Sequence, residues 1–444
     1  MRHKPAHPPA NQCPTGWRMA PLSSVAEIRF SNVDKKSETG EIPVRLCNYT
    51  DAYNNDYITA YMEFMRATAS RSEISRFGLA VGDVIITKDS ETPDDIGVPA
   101  LVDGTAADLV CGYHLALIRV TQCAIDPTFL AKQLAQPRIA RYYGQQANGS
   151  TRYGLSTAAI ERTPLWIPPI DQQMKIGEVA RLVDKAIKDT ATLITKVMQI
   201  RVGLLCDLFN RGLDDNGEIR DPLAHPEQFK DSPLGRIPKE WGCGELARLV
   251  SPDRPIVYGI LMPGRGFPGG IPVIKVKDIR NGRIDTASLL HTDPKIDEAY
   301  SRSRVRSGDL LFTIRGTVGR MALVPPALDG ANITQDTARI ALADSNPTFV
   351  ARWLEMEAAT RFVAVHTLGV AVQGINLRDV RRIPIIVVPR REQDRIAAMI
   401  ESLEARIDNE RATLQKLADV KSGLLADLLA GHRVPHCLES GAML

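Results

Sequence analysis

Two segments, VGLLCDLFNRG (202–212) and SGLLADLLAG (422–431), decide the fold, because one chain carries the same helix ending twice. The equivalent glycines are Gly203 and Gly423, and their separation in the sequence defines the offset of the repeat. At the same offset, YGLSTAAIERTPLWIPPIDQQMKI (153–176) aligns with QGINLRDVRRIPIIVVPRREQDRI (373–396). The two halves of the chain therefore repeat more than a helix.

Shorter echoes continue upstream, where the offset drifts as loops of different length would make it drift. VGDVIITK (81–88) resembles SGDLLFTI (307–314), and IPVR (42–45) resembles IPVI (271–274). A repeat of about 200 residues is far longer than the period of a solenoid protein. We interpret the sequence as an internal duplication of one domain followed by one long helix.

The composition is that of an ordinary globular protein of more than one domain: 444 residues, 44% hydrophobic and 24% charged, with net charge +3. The sequence has no apolar stretch long enough to cross a bilayer, which predicts no membrane span. Residues 1–15 have no apolar segment and are expected to form a disordered lead. Seven dispersed cysteines without a CxxC pair disfavour disulfide or metal frameworks and predict a cytoplasmic protein.

Each repeat ends in a predicted long helix with apolar residues at coiled-coil spacing. Neither stripe is expected to be stable alone, so we expect the two helices to pack on each other as an antiparallel coiled coil with pseudo-two-fold symmetry. The heptad positions of this pairing seam are Ile176, Val183, Thr190, Val197 and Leu204 in the first helix, and Ile396, Leu403, Glu410, Leu417 and Leu424 in the second.

Polar residues interrupt the seam at the same heptad position of both helices, at Thr190 and Glu410. A buried polar residue can fix the register of a coiled coil. One hypothesis is that the Thr190 hydroxyl donates a hydrogen bond to Glu410. The alternative is that both residues face solvent at the edge of the seam.

The part of each repeat that precedes the helix consists of short β-branched runs punctuated by Gly, Pro, Asn and Asp, which is typical of a mixed α/β domain. The predicted fold class is therefore α+β. The predicted segments are a lead (1–15), a first domain (16–166), a first spacer helix (167–212), a linker (213–240), a second domain (241–387), a second spacer helix (388–431) and a tail (432–444).

No catalytic constellation is apparent in the sequence. It contains no GxxxxGK[ST] loop, HExxH or GxSxG motif, and its eight histidines are dispersed. SRSRVRSGD (301–309) spaces Arg302, Arg304 and Arg306 two apart, which on a strand places three guanidinium groups on one face. The alternative is a solvated edge strand guarded by charge. A duplicated chain without catalytic or metal-binding residues is typical of a recognition scaffold, and duplex DNA offers the matching repeat geometry.

Several motifs in this order resemble the specificity subunits of type I restriction–modification enzymes, from about residue 15 to residue 431. The motifs are IPVRLCNYTDAYNNDYI, GDVIITKDSETPDDIGVPALV, WIPPIDQQMKI, FKDSPLGRIPKEW, GDLLFTIRGTVGRMALV and VPRREQDRI. The resemblance implies two target-recognition domains, each reading one half of a bipartite DNA sequence, with the helices setting the gap between the halves.

The same resemblance implies a non-catalytic chain that binds double-stranded DNA and two modification subunits. Those subunits would bring S-adenosylmethionine and methylate adenine at N6. Restriction subunits would add translocation and cleavage with ATP and Mg²⁺. No cofactor or metal is expected on this chain.

Candidate DNA contacts lie in glycine-containing turns and in polar segments that precede each helix. Gln and Asn can pair bidentately with adenine, whereas Arg and Lys mostly contact phosphate. The first domain departs from the GTxG turn of the family, because TKDSETPDD (87–95) takes its place, and acidic neighbours weaken the case for Lys88. The candidates are Lys88, Gln146, Asn148, Ser150, Thr151, Arg152 and Tyr153 in the first domain, and Arg315, Thr317, Arg320, Gln373 and Asn376 in the second. For each, a solvated loop residue is the alternative.

Two other classes of function remain open from the sequence. An autonomous nuclease or methyltransferase would require a catalytic motif, and none is found. A coiled-coil adaptor that binds proteins through its sheet domains would show no sequence-dependent DNA binding. The salt dependence of DNA affinity separates the adaptor from the DNA-specificity scaffold.

Overall fold

A computed structural model of the chain describes residues 13–121, 124–369 and 373–432. These residues form two compact units. Unit 1 comprises the described residues up to Thr192 and those from Arg411 onwards, and unit 2 runs from Leu193 to Glu410. The sequence suggests that each domain keeps its own following helix. The structure instead divides both long helices between the units, because each domain packs on a segment of each helix.

Unit 1 contains short strands and helices followed by the first long helix. Its described strands are β1 (Arg18–Pro21), β2 (Ala26–Phe30), β3 (Ile42–Cys47), β4 (Tyr57–Ile58), β5 (Met65–Ala69), β6 (Val84–Thr87), β7 (Asp89–Ser90), β8 (Pro99–Val102), β9 (Leu109–Cys111), β10 (Leu115–Val120), β11 (Tyr153–Gly154) and β12 (Pro164–Ile167). Its helices are α1 (Tyr49–Asn54), α2 (Arg71–Phe77), α3 (Pro127–Leu134), α4 (Pro137–Gln146), α5 (Thr157–Glu161) and α6 (Ile170–Arg211), of which α6 continues into unit 2.

The sheets of unit 1 pack around two hydrophobic clusters. Five strands pair in the order β2-β10-β6-β8-β4, and three pair as β5-β3-β9, with β3 antiparallel to β5 and parallel to β9. Successive side chains of a strand point to opposite faces. Val84 and Ile86 of β6 accordingly pack with Ile176 of α6, whereas Ile85 packs with Leu46 of β3.

Unit 2 repeats this order of elements. Its described strands are β13 (Phe229–Ser232), β14 (Gly235–Pro238), β15 (Gly242–Glu245), β16 (Val257–Tyr258), β17 (Ile271–Ile274), β18 (Ile279–Arg280), β19 (Arg283–Ile284), β20 (Leu290–Thr292), β21 (Leu310–Thr313), β22 (Met321–Leu323), β23 (Asn332–Ile333), β24 (Thr337–Ile340) and β25 (Pro384–Val387). Its helices are α7 (Pro294–Ala299), α8 (Pro347–Trp353), α9 (Glu357–His366), α10 (Leu377–Arg381) and α11 (Arg390–Leu429), of which α11 continues into unit 1.

The three-stranded sheet and the pairing of the terminal strands in unit 2 match those of unit 1, whereas its main sheet has four strands, in the order β16-β24-β21-β22. β17 is antiparallel to β20 and parallel to β23, as β3 is to β5 and β9. The first and last strands of each domain pair with each other, β1 with β12 and β15 with β25. In the core, Leu310 and Phe312 of β21 pack with Phe209 and Ile396 of the long helices, whereas Leu311 faces the other side. The duplication seen in the sequence is therefore a duplication of the fold.

The repeated glycines at 212 and 431 end the two long helices. Gly212 has φ +64° and Gly431 has φ +69°, a left-handed conformation that only glycine adopts without strain. The Gly212 amide donates to the Leu208 carbonyl at 3.1 Å, and the Gly431 amide donates to that of Leu428 at 3.3 Å. The observed helix bounds lie within three residues of the predicted ones.

A glutamine clamps the start of each long helix to its domain. In unit 1, Gln173 accepts a hydrogen bond from the Asp126 amide at 2.9 Å and donates to the Pro168 carbonyl at 2.9 Å. In unit 2, Gln393 accepts from the Asn346 amide at 2.8 Å and donates to the Val388 carbonyl at 2.8 Å. Asp126 and Asn346 are themselves the N-caps of α3 and α8, so each glutamine ties two helix starts together.

Unit 1 holds a carboxylate between two lysines. Lys132 of α3 lies 2.7 Å from Asp184 of α6, and Lys421 of α11 lies 2.6 Å from the same carboxylate. The Tyr57 hydroxyl donates to Asp184 at 2.6 Å, and Asp56 approaches both lysines. The side chains of Lys132 and Asp184 are only 8% and 9% exposed, so the group joins the domain to segments of both long helices.

Unit 2 contains the corresponding group, built from longer side chains. Glu404 of α11 lies 2.9 Å from Arg352 of α8 and 2.7 Å from Arg201 of α6. The offset that relates the two helix endings also relates these members to their counterparts in unit 1, with positions 352, 404 and 201 matching 132, 184 and 421. Glu355 also contacts Arg201, at 3.2 Å. The fold therefore repeats a cation–acid–cation group in which lysine and aspartate serve unit 1, and arginine and glutamate serve unit 2.

The mixed α/β domains with long helices confirm the predicted fold class, while the coiled-coil pairing and its symmetry axis stay predictions. None of the ten predicted seam residues is exposed, and Ile176, Val197 and Ile396 are buried. The Thr190 hydroxyl donates to the Ala186 carbonyl of its own helix at 2.8 Å, and its hydrogen bond with Glu410 stays a prediction.

Three other expectations meet a different arrangement. The predicted linker 213–240 contains the hairpin of β13 and β14. Residues 1–12 of the predicted lead and 433–444 of the tail lie outside the described residues, but the Pro14 carbonyl accepts a hydrogen bond from the Trp17 amide in an ordered turn. The arginines of 301–309 do not share a strand face, because Ser301–Ser303 is a 3-10 helix and Arg304 pairs with Asp297 at 2.6 Å.

Candidate nucleic-acid interface

In unit 1 the predicted contact residues meet the end of β6. Tyr153 pairs with Ser90, and Gly154 with Asp89, in the short ladder of β11 and β7. Before that ladder, Asn148 and Gly154 exchange backbone hydrogen bonds around a tight turn. This turn exposes Gln146, Asn148, Ser150, Thr151 and Arg152, and leaves Tyr153 half-buried. We call residues 88–90, 114 and 146–153 the polar edge of unit 1.

An aspartate, a histidine and an arginine form an ionic cluster at this edge. Asp89 lies 2.8 Å from His114 Nδ1 and 3.1 Å from Arg152 Nη2. The side chain of Arg152 is 61% exposed, whereas those of His114 and Asp89 are 12% and 19% exposed. The guanidinium group therefore stands at the surface with the carboxylate and the imidazole behind it.

Lys88 does not belong to the exposed part of the edge. Its ammonium group donates to the Ser31 carbonyl at 3.3 Å and lies 4.8 Å from the centre of the Phe30 ring. Burial lowers the pKa of Lys88, and the Asp89 charge only partly opposes that effect. Lys88 is half-buried and its ammonium group already has a partner within the domain, and its contact with a phosphate stays a prediction.

In unit 2 two separated candidate segments come together. The turn between β21 and β22 exposes Arg315, Thr317 and Arg320, and its glycines 316 and 319 have φ +75° and +87°. The Gly316 amide donates to the Gln373 carbonyl at 2.9 Å, so the segment that carries exposed Gln373 borders this turn. Residues 371 and 372 of this segment lie outside the described residues. We call 315–320, 335–336 and 373–376 the polar edge of unit 2.

Two candidates at this edge also have local structural roles. Arg320 donates to the Ile279 carbonyl at 3.3 Å, although its side chain is exposed. Asn376 occupies the N-cap position of α10 without a capping hydrogen bond from its side chain. Its counterpart Ser156, the N-cap of α5, does accept one from the Ala159 amide at 3.2 Å. The Asn376 amide group is therefore the freer of the two to contact a ligand.

The two edges occupy equivalent places in the fold. Gly154 and Gly374 match each other at the offset of the repeat, and they pair with Asp89 and Arg315 respectively. The neighbouring strands pair in the same way. In unit 1 the Lys88 amide donates to the His114 carbonyl at 3.1 Å, and in unit 2 the Ile314 amide donates to the Asp336 carbonyl at 2.8 Å.

The sequence did not predict several members of these edges, among them Asp89, His114 and Asp336. A dispersed histidine gives no signal by itself. The similarity of VGDVIITK to SGDLLFTI is a usable signal, because the residue that follows each segment lies at a polar edge. These residues are Asp89 and Arg315.

Other kinds of site have little support in the described part of the chain. No group of three or more His, Cys, Asp or Glu residues there is arranged to hold a metal ion. Within the same residues, no helix is long and apolar enough to span a bilayer.

Comparison with known protein families agrees with this geometry. Residues 265–419 match a family described as "Type I restriction modification DNA specificity domain". These residues include the polar edge of unit 2 and the first three quarters of α11. The second half of the chain is therefore similar to the DNA specificity domains of that family.

Relatives and solved structures extend the similarity to the rest of the chain. The chain is 28% identical over 275 residues to the type I restriction enzyme EcoBI specificity subunit of Escherichia coli. That match covers 60% of this chain and 57% of the relative, so it spans little more than half of that protein.

Two solved structures share the fold. The type I restriction–modification S subunit from M. genitalium aligns over 96% of this chain and 99% of its own, with TM-score 0.56 and 13% identity. A chain from a study of complex assembly and conformational transition of the type I R-M system aligns over 96% and 100%, with TM-score 0.54 and 16% identity. These findings confirm the resemblance to type I specificity subunits that the sequence motifs indicated.

Proposed function

We propose that the chain is the DNA-sequence-specificity subunit of a type I restriction–modification complex. Each unit would read one half of a bipartite DNA target through its polar edge, and the long helices would set the gap between the halves. The chain would be non-catalytic, and it would direct adenine-N6 methylation, and restriction, by partner subunits in the cytoplasm.

One observation carries this proposal: the two units present exposed polar side chains at equivalent strand ends. Arg152 stands at this place in unit 1, and Arg315 stands there in unit 2. Around them, exposed Asn148 and Gln373 offer the amide groups that suit adenine. A duplicated reader suits a duplex target in two parts, because each half-site presents the same kind of groove to an equivalent surface.

The catalytic chemistry would belong to partner subunits. Two modification subunits would supply S-adenosylmethionine, and restriction subunits would supply ATP and Mg²⁺ for translocation and cleavage. This chain would bind none of these cofactors, since its own sequence offers no phosphate loop and no set of catalytic residues.

The long helices offer a surface for the modification subunits. In the unit 1 segment of α6, Met174 and Leu182 are 58% and 60% exposed and line an open groove of about 700 Å³. In the unit 2 segment, Ile200 and Val202 are each 61% exposed. We infer that a modification subunit covers these apolar side chains, as contiguous exposed apolar surface is typical of protein interfaces.

A genome-wide map of N6-methyladenine tests the proposal directly. Cells that express the modification subunit would be compared with and without this chain. We expect a motif of two short halves around a fixed gap that disappears when the chain is deleted. Identical maps, with the modification subunit shown to be active, would contradict the proposal.

Salt dependence separates this function from that of a coiled-coil protein adaptor. A DNA-reading complex neutralises phosphates, so its affinity for a duplex falls steeply as salt rises. We expect such a slope, together with a preference for the mapped motif over a scrambled duplex of equal length. An adaptor would show neither behaviour.

A further inference from the structure

Each unit has an exposed arginine at the end of the equivalent strand, although the two arginines occupy different positions in the repeat. In unit 2 this residue is Arg315, which pairs through its backbone with Gly374. In unit 1 the equivalent position is Asp89, which pairs with Gly154 and is an acid. The Asp89 carboxylate binds Arg152, and this ion pair restores a guanidinium group to that place.

We propose that Arg152 and Arg315 are the guanine-reading residues of the two domains, and that Asp89 and His114 position Arg152. This inference rests on the proposed function, and it further specifies which base is read and which residues read it. Arginine pairs bidentately with O6 and N7 of guanine in the major groove, which is the commonest specific contact between protein and DNA. Both arginines are exposed, as such a contact requires.

The contacts of Arg152 leave most of its guanidinium group available. Asp89 Oδ1 lies 3.1 Å from Nη2, and the two ring nitrogens of His114 lie 3.3 and 3.4 Å from the same Nη2. A guanidinium group carries five N–H donors in a planar fork. These contacts hold the group at one nitrogen and leave its other donors available for guanine.

The surroundings of Asp89 explain why this carboxylate is compatible with a DNA-binding surface. An uncompensated carboxylate would repel phosphates at short range. Asp89 instead faces Arg152 on one side and the His114 imidazole on the other. The Tyr113 ring lies 3.6 Å from the imidazole, centre to centre, and restricts its movement.

The test compares methylation maps of cells that carry the full chain with its modification partner. Arg315→Lys keeps the charge but removes the bidentate fork. We expect it to relax one G·C position in one half of the motif by about 10- to 100-fold and to leave the other half unchanged. Arg152→Lys should do the same in the opposite half. Unchanged motifs in both variants would overturn the proposal.

Exposed arginines away from the edges provide matched controls. Arg162→Lys on the chain just after α5 and Arg306→Lys before β21 should leave both halves of the motif intact. If the wild-type chain itself yields no split motif, the proposed function fails. If it yields a split motif in which neither half contains a G·C pair, only the guanine assignment fails.

If a variant complex no longer methylates DNA, its base preference is measured by DNA binding instead. The complex would be titrated with a site duplex and with the same duplex carrying 7-deazaguanine, which lacks N7. We expect wild-type affinity to fall about 10-fold with 7-deazaguanine, and the matching Arg→Ala complex, which has no donor for N7, to bind both duplexes alike. An equal fall in both complexes would contradict the assignment.

Variants of Asp89 test whether this residue positions Arg152. Asp89→Asn should relax the same guanine position as Arg152→Lys while leaving the melting temperature and the other half of the motif unchanged. Asp89→Glu, which keeps the charge, should partly restore the preference. A lower melting temperature with an unchanged motif would show instead that Asp89 is merely structural.

Discussion

Asp184 and Glu404 hold the same position in the two units, each between a cation from its own domain and a cation from the other long helix. The carboxylate of Asp184 is the more buried, with 9% of its side chain exposed against 25% for Glu404. The two units therefore repeat the geometry of this contact but not its side-chain lengths or its burial.

Asp184→Asn should destabilise the chain strongly, because it leaves two lysines of the group without their central charge. We expect a loss of about 3 kcal/mol in the free energy of unfolding, measured by chemical denaturation. The matched control is Asp189→Asn, which breaks the exposed Lys185–Asp189 pair and should cost about 0.5 kcal/mol or less. Equal losses would show that the buried group contributes no more than a surface pair.

The contribution of Asp184 should also depend on pH. Burial raises the pKa of Asp184, but the charge of Lys132 and hydrogen bonds from Lys132, Lys421 and Tyr57 outweigh it and hold the pKa below its ordinary value. A pKa that is lower in the folded chain means that the stabilisation is present above the unfolded value of about 3.9 and is lost as pH falls through the folded value. The stability difference between wild type and Asp184→Asn should be constant above about pH 5 and shrink below about pH 4. A difference that grows on acidification would contradict this sign.

The glutamine clamps should matter in both units. Gln393→Ala leaves the Asn346 amide and the Val388 carbonyl without their partner, and we expect a loss of about 1–3 kcal/mol in the free energy of unfolding. Gln415→Ala, at an exposed site of α11, should change it by less than about 0.5 kcal/mol. Gln173→Ala should lower the free energy of unfolding by a similar amount. An unchanged value in both variants would show that these glutamines do not stabilise the fold.

Loss of the two edge arginines should not have equal effects on DNA affinity. Arg152→Ala uncovers the Asp89 carboxylate towards DNA, whereas Arg315→Ala leaves no acid at its own position. We therefore expect the weaker binding from Arg152→Ala, with partial recovery in Asp89→Asn/Arg152→Ala. Lys88→Met should leave the salt slope unchanged, since that ammonium group is engaged with Ser31. If the double variant binds DNA no better than Arg152→Ala, the Asp89 charge does not cause the loss of affinity.

Apolar residues of α6 should divide into those that fold the chain and those that bind a partner. Leu204 packs against the core of unit 2, so Leu204→Asp should cost about 3 kcal/mol or more. Ile200, four residues earlier, is 61% exposed, and Ile200→Asp should leave stability unchanged while weakening co-purification with the modification subunit at least about 10-fold. Normal complex formation by Ile200→Asp would exclude this residue from the docking surface.

The heptad periodicity and the internal repeat were sufficient to predict the two long helices from the sequence. The heptad pattern predicted both long helices, and the constant offset of the repeat aligned Gln173 with Gln393. Local chemistry determines such features, because helix spacing and the terminal glycines act within a few residues of each other.

Features that depend on strand register were not accessible in the same way. Lys88 looked like a surface lysine, but the register of β6 and β10 turns it onto Phe30. The same register places His114 beside Asp89, which are 25 residues apart in the chain. Thr190 satisfied its hydroxyl locally, as threonine in a helix often does by donating to the carbonyl four residues earlier.

The division of both long helices between the units also determines the order in which the chain can be completed during synthesis. Unit 2 ends at Glu410, so all of its residues exist once the ribosome has made that position. Unit 1 begins first but needs Lys421, Leu428 and Leu429 from the last turns of α11. The domain that is translated first is therefore the one that folds to completion last, and until then Asp184 has only Lys132 of its two lysines.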